Sequence, residues 1–283
     1  MPITIIAEIG LNHNGSLQRA LYLVDAAKIA GANLVKFQTY RTEKLLHPSD
    51  PSYDRLKKLE LPLSDFVKIA AHCEAVGIEF LSTPGDVECL EFLVKECGMK
   101  RVKIGSDDLT NKPLTKACAE TRLPLIISTG MATAEEIREM LQWIFYPDIW
   151  SSLTLMHCVS LYPTPLEMAN LSRMRELRRY FCSAVPMSFG YSDHTRTQVA
   201  CTSAAALGAR IIEAHLMIDE DCIDRSVSFS MPDFHDMVFA VRNVEKMLGN
   251  GVTVISEQER EQRLFLRKGP DGLRPIGKKG LYG

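Results

Sequence analysis

No apolar run in this 283-residue chain approaches the roughly 18 to 20 residues needed to cross a bilayer. No secretion signal is expected in MPITIIAEIG either: it has no basic n-region, and Glu8 cuts its apolar stretch short, so it reads as a first strand. The eight cysteines contain no CxxC pair, and in a chain of this size they are expected to be reduced, behaving as small buried hydrophobes. Positive charge is not in surplus. The formal net charge is −2, which argues against nucleic acid as the main partner, because such binding needs clustered Lys and Arg to replace phosphate counterions. No glycine-rich dinucleotide turn follows the first strand. These absences lead to an expectation of a cytoplasmic protein with no membrane or nucleic-acid partner.

What is present is a rhythm. Short β-branched runs alternate with amphipathic stretches in which apolar residues recur at helical spacing. The strand ITIIAEIG precedes a helix over Leu17–Ala30, closed by Gly31, and NLVKFQTY precedes a long polar loop, Arg41–Pro62. A helix over Ser64–Val76, closed by Gly77, then leads into IEFLSTP and a helix over Val87–Cys97. RVKIGS is followed by Lys112–Glu120, and PLIISTG by a helix that opens at Thr133 with two acidic residues in its first turn. SLTLMHCVS with Leu171–Phe181, PMSFGYSDH with Gln198–Leu207, and RIIEAHLM with Asp233–Leu248 complete eight β-then-α units. This is an α/β pattern of parallel strands joined by helical crossovers, and eight units predict closure into a (β/α)₈ TIM barrel rather than an open doubly wound sheet. Residues 1–250 are expected to form the barrel and 251–283 a tail.

In such a barrel the chemistry sits at the C-terminal ends of the strands. Those ends carry Glu8, Lys36 with Gln38, Thr83, Lys103 with Ser106, Ser128, His157, Ser192 with His194, and His215. His194 and His215 end neighbouring strands, so they could share one divalent ion while leaving positions for water and substrate; the alternative is a hydrogen-bonded pair without metal. Lys36 and Lys103 lie inside apolar strands, where an ammonium needs an anionic partner. With the hydroxyls of Thr83, Ser106, Ser128 and Ser192 they could cradle a phosphate or carboxylate. They could also pair with Glu8 or Asp108, or form a Schiff base. Glu8 could act as an acid or base, bind a metal through water, or pair with Lys36. His157 and Cys158 read as core residues before ligand or nucleophile, and Asn12 with His13 could shape the site by hydrogen bonds.

AEIGLNHNGSLQRALYLVDAAKIAGANLVKFQTY, FLSTP, VKIGSDDLTNKPL, ISTGMAT, HCVSLYPTP, GYSDHT and IEAH occur in this order, and together they resemble the N-acetylneuraminate (sialic acid) synthase family. The resemblance implies a barrel that condenses phosphoenolpyruvate with N-acetylmannosamine or a related amino-hexose. Phosphate is then released by C–O cleavage. It implies Mn²⁺ or Mg²⁺ on His194 and His215, and a phosphoenolpyruvate cradle of Lys36, Thr83, Lys103, Ser106, Ser128 and Ser192. Glu8 would assist at the reacting centre, with Gln38 and Asp108 near the substrates. No Schiff base is then needed.

Three features depart from the family pattern. Leu161 stands where a polar residue is common before YP, so one substrate hydrogen bond is expected to be missing or supplied elsewhere. The loop MIDEDCIDRSVSFSMPDF replaces a GPDH-like turn, with Asp224 and Arg225 as possible substitutes. The basic tail is expected to be too short for the antifreeze-like domain that, in the family's homodimer, covers the partner's barrel and contributes a sugar-binding arginine, for which Arg267 or Arg274 could substitute. A homodimer remains an expectation. Changed acceptor specificity, or a degenerate barrel that serves as a scaffold, are the competing readings.

Overall fold

The structure, a computed structural model, describes residues 2–144, 146, 149–181, 186–252 and 254–274. By internal contacts the chain divides into Met1–Met247 and Leu248–Gly283. The first unit holds eight parallel strands: β1 (Thr4–Gly10), β2 (Leu34–Thr39), β3 (Glu79–Pro84), β4 (Val102–Ile104), β5 (Leu125–Ser128), β6 (Leu153–His157), β7 (Ser188–Asp193) and β8 (Ile211–Met217). Hydrogen bonding runs β3-β2-β1-β8-β7-β6-β5-β4, and β3 and β4 lie against each other at the remaining seam. This is the barrel predicted from the alternation. A two-residue strand, β9 (Phe229–Ser230), pairs in parallel with the end of β8.

The crossover helices are α1 (Leu17–Ile29), α4 (Leu63–Val76), α5 (Val87–Lys95), α6 (Lys112–Glu120), α7 (Ala134–Trp143), α8 (Arg173–Phe181), α9 (Gln198–Ala206) and α10 (Met231–Leu248). Their starts follow from local chemistry. Ser16, Asp86, Asn111, Thr133 and Thr197 each accept a first-turn backbone N–H, and Thr133 forms a full capping box with Glu136. The helix α4 stops at Gly77, whose φ of 74° is the left-handed conformation that ends helices. At Gly190 the reason is proximity: a Cβ there would lie 2.8 Å from the Ile211 carbonyl oxygen, so β7 packs on β8 only without a side chain.

Burial explains why the strands read as continuous apolar runs. Both faces of each strand are covered, one by the helices and the other by the barrel interior. Along β8 every residue from Ile211 to Met217 is buried, and Glu213 and His215 share the inward parity.

The segment 41–62, read from sequence as an irregular loop, contains α2 (Thr42–Leu45) and α3 (Tyr53–Leu59). Helices of four and seven residues are too short to show a 3.6-residue period. The segment is instead held by its polar groups: Glu60 accepts both the N–H and the hydroxyl of Thr42, Lys57 bridges Glu43 and Glu60, and the Tyr40 hydroxyl donates to the Leu56 carbonyl at 2.9 Å. The second unit carries α11 (Glu257–Leu266), capped by a Ser256–Glu259 box. Arg267 and Arg274 belong to this unit, and residues 275–283 of the expected tail lie outside the described residues. The seven described cysteines are free; Cys182 lies outside the described residues. No helix among the described residues is long and apolar enough to cross a membrane.

Candidate active site at the barrel mouth

The C-terminal strand ends surround a cavity of about 440 Å³. Glu8, Lys36, Gln38, Thr83, Lys103, Ser106, Asp108, Ser128, Ser192, His194 and His215, the eleven residues singled out from sequence, all line it. They come from seven different strands and from the β4–α6 loop, and the shared C-terminal edge brings them together. His157 does not join them. Its Nε2 lies 2.8 Å from the Ala169 carbonyl in the core, as expected of a structural histidine.

Two ammonium groups lie at the floor. Lys36 Nζ is 2.8 Å from Glu8 Oε2, 3.7 Å from Glu213 Oε2 and 3.3 Å from the Thr83 hydroxyl. Lys103 Nζ donates to the Ser128 hydroxyl at 2.7 Å and is 3.5 Å from Glu213 Oε1, which also accepts from the Ser192 hydroxyl at 3.0 Å. Glu213 therefore bridges both lysines. Asp108, expected as a possible lysine partner, instead accepts from Asn111 at 2.8 Å, because it sits beyond the strand end at the start of the α6 turn.

These environments separate the protonation equilibria. Burial alone would depress Lys36, but Glu213 and Glu8 outweigh it and its pKa ends above the ordinary lysine value. For Lys103 burial wins and the pKa is lowered. Burial raises Glu8 despite Lys36. Burial pushes Glu213 upward as well, but Lys103 and Lys36 together hold it well below the usual carboxylate range. Burial also raises Asp108.

The serine side of the cavity is tight. Gly130 N–H donates to Ser106 Oγ at 3.0 Å, and a Cβ on Gly130 would lie 2.7 Å from Ser106 Oγ and 2.9 Å from Cys158 Sγ, and closer still to Ser160 Oγ. Cys158, Ser160 and Tyr162 line the cavity, whereas Leu161 does not and is 39% exposed. The neighbouring Ser160 thus offers a hydroxyl to the cavity where Leu161 offers none.

His194 and His215 have ring centres 5.5 Å apart, with Tyr162 tilted over His194 at 4.2 Å. His194 Nδ1 lies 2.7 Å from the Val159 carbonyl, which can only accept, so Nδ1 carries the proton and Nε2 keeps a lone pair. Burial lowers His194, and lowers His215 to about 4, so both rings are neutral near pH 7. Two neutral imidazoles this close fit a shared divalent cation. Among the described residues no set of three or more His, Cys, Asp or Glu could hold a metal, so water and substrate oxygens would complete such a site.

Sequence reasoning missed Glu213 as a site residue. The signal was available: in IEAH it stands two residues before His215 and therefore shares its face. In the loop after β8, Asp224 comes within 3.5 Å of His215 Nδ1, while Arg225 is exposed beside Glu220. His13 is buried next to Phe37 and does not line the cavity.

The NeuB family signature covers residues 23–253. N,N'-diacetyllegionaminic acid synthase of Legionella pneumophila is 37% identical over 95% of this chain and 79% of its own length. Pseudaminic acid synthase of Campylobacter jejuni is 35% identical over 94% of this chain and 80% of its own. Among solved structures, N-acetylneuraminic acid synthetase of Leptospira borgpetersenii superposes with a TM-score of 0.86 at 34% identity, covering 95% of this chain and 94% of that one.

Proposed function

The chain belongs to the NeuB family of sugar-acid synthases, and from that premise we propose that it condenses phosphoenolpyruvate with an N-acylated amino-hexose to give a nonulosonic acid and phosphate. The observation that carries this reading is the convergence of two buried ammonium groups and two neutral imidazoles on one cavity.

In the overall step, C3 of phosphoenolpyruvate bonds to the sugar aldehyde carbon, whose oxygen takes a proton and becomes a hydroxyl. Water adds at C2, and phosphate departs with its bridging oxygen, leaving a 2-keto acid. Lys36 and Lys103 offset the charge of the phosphate and carboxylate, with Thr83, Ser106, Ser128 and Ser192 supplying hydroxyl donors. Holding both substrates within one cavity brings enol carbon and aldehyde together. Glu8, raised by burial and set against Lys36, is the group suited to exchange a proton at the reacting centre. His194 and His215 would hold Mn²⁺ or Mg²⁺, which when bound supplies Lewis-acid activation of the aldehyde. Asp108 and Gln38, which also line the cavity, would lie near the substrates.

The test is phosphate release from phosphoenolpyruvate with Mn²⁺ and a panel of N-acylated hexoses. Release that depends on the hexose is expected. Silence with every acceptor, while the metal still binds, would favour a scaffold protein and overturn the proposal.

A further inference from the structure

The turn after β1, LNHNG, does not line the cavity, yet Asn12 is only 1% exposed and all of its side-chain bonds go to one loop. Its Nδ2 donates to the Leu216 carbonyl at the end of β8 and to the Ser228 hydroxyl, both at 2.9 Å. Its Oδ1 accepts the Asp224 backbone N–H at 3.1 Å, and Ser228 Oγ in turn donates to the Asp224 carbonyl at 2.8 Å. The loop between Leu216 and Ser228 is therefore pinned at both ends and at Asp224 by a single amide.

The pinned residue faces the cation side of the site. Asp224 Oδ2 is 3.5 Å from His215 Nδ1, which has no hydrogen-bond partner. Its approach is tight, since a Cβ on Gly10 would lie 3.2 Å from Asp224 Oδ2 and 3.0 Å from Glu8 Oε1. His194 and His215 differ in one respect. The Nδ1 of His194 is oriented by the Val159 carbonyl, part of the chain leaving β6. The Nδ1 of His215 faces an oxygen on a long loop whose outer part is held separately, Asp219 by Arg19 at 2.9 Å and the Asp221 carbonyl by Asn14 and Arg19. A carboxylate behind an imidazole fixes its tautomer and ring orientation and raises the basicity of the other nitrogen. A carboxylate not held in register would do neither.

We propose that Asn12 is a positioning residue for the cation site: by holding the Asp224 N–H it keeps that carboxylate behind His215 Nδ1 and leaves Nε2 for the metal. This rests on the metal reading of His194 and His215 made above.

Mn²⁺ affinity of the metal-free, full-length protein, measured by calorimetry without substrates, tests it. Asn12→Ala and Asp224→Asn are each expected to weaken Mn²⁺ binding by about tenfold, the usual effect of losing an outer partner. The double variant is expected to be no weaker than Asp224→Asn alone, because both changes remove the same contact. Phosphoenolpyruvate binding at the lysine side should stay within about twofold in Asn12→Ala. Should the alanine variant not fold, Asn12→Ser, too short to span to the Asp224 N–H, takes its place with the same expectation. Ring ¹⁵N resonances of His215 in the metal-free protein give a second readout, with a mixed tautomer expected in the variant and a single Nδ1–H form in the unaltered protein. Unchanged Mn²⁺ affinity in Asn12→Ala, additive losses in the double variant, or parallel loss of phosphoenolpyruvate binding would each overturn this inference alone. No Mn²⁺ binding by the unaltered protein would overturn the metal reading and this inference with it.

Discussion

Replacing Glu213 by Gln keeps the volume and removes the one charge that both site lysines share. Its oxygens lie 3.5 Å from Lys103 Nζ and 3.7 Å from Lys36 Nζ. At an effective dielectric of about 20, each contact is worth roughly 4.5 kcal/mol of gross attraction. Desolvation cancels most of that while the network is intact, so the measurable quantity is the imbalance left when one side is removed, about 3 to 5 kcal/mol for a buried pair. Lys36 keeps Glu8 at 2.8 Å, and the new amide oxygen can still accept from Ser192, so the lower figure of about 3 kcal/mol applies. The strain falls mainly on Lys103, left with the Ser128 hydroxyl. At about 2 to 4 °C per kcal/mol, the melting temperature should fall by roughly 6 to 12 °C. Phosphoenolpyruvate seated as proposed would restore negative charge between the lysines, so it should raise the variant's melting temperature more than that of the unaltered protein. Calorimetric scans with and without phosphoenolpyruvate read both numbers. A variant as stable as its parent, or one stabilised by phosphoenolpyruvate no more than its parent, would refute the argument that the lysines need an anion.

Three further outcomes follow from the geometry. His215→Ala should abolish Mn²⁺-dependent turnover and leave the circular dichroism spectrum intact; unaltered turnover would refute the metal assignment. Gly130→Ala inserts a methyl among Ser106, Cys158 and Ser160, costing about 1 to 3 kcal/mol of stability and raising the KM for phosphoenolpyruvate more than it lowers kcat; a KM unchanged alongside full stability would show that the Ser106 wall yields freely. Burial holds His215 and His13 at about 4, below the ordinary 6.5, so both are neutral in the folded state where the unfolded chain would bind protons. Folding stability should therefore be full above pH 6.5 and decline as the pH falls towards 4, with His13→Gln flattening the slope in urea titrations at several pH values.

The barrel was legible because helix stops such as Gly31 and Gly77 and caps such as Thr133 punctuate the chain at regular intervals. The cavity residues were legible for a different reason: charged groups like Lys36 and Lys103 contradict the apolar strands that carry them. Where that contradiction was absent or ambiguous, the reading failed. Glu213 went unnoticed beside the more conspicuous His215, although strand parity ties the two. The helices α2 and α3 left no periodic trace, since their stability comes from pairs such as Lys57 with Glu60, whose partners meet only after folding. The Asn12 bonds to Leu216, Asp224 and Ser228 cross the whole domain, and no local pattern announces them.

The ladder between β1 and β8 joins Thr4–Glu8 to a strand that follows about 200 residues later. At roughly 5 to 20 residues per second, the nascent chain carries β1 for about 10 to 40 seconds before its neighbour on that side emerges. During this interval the outer edge of an apolar heptapeptide, TIIAEIG, stays open to pairing with other chains. Slower translation should therefore raise the demand for chaperones more steeply for this protein than for one whose paired strands lie close together in sequence.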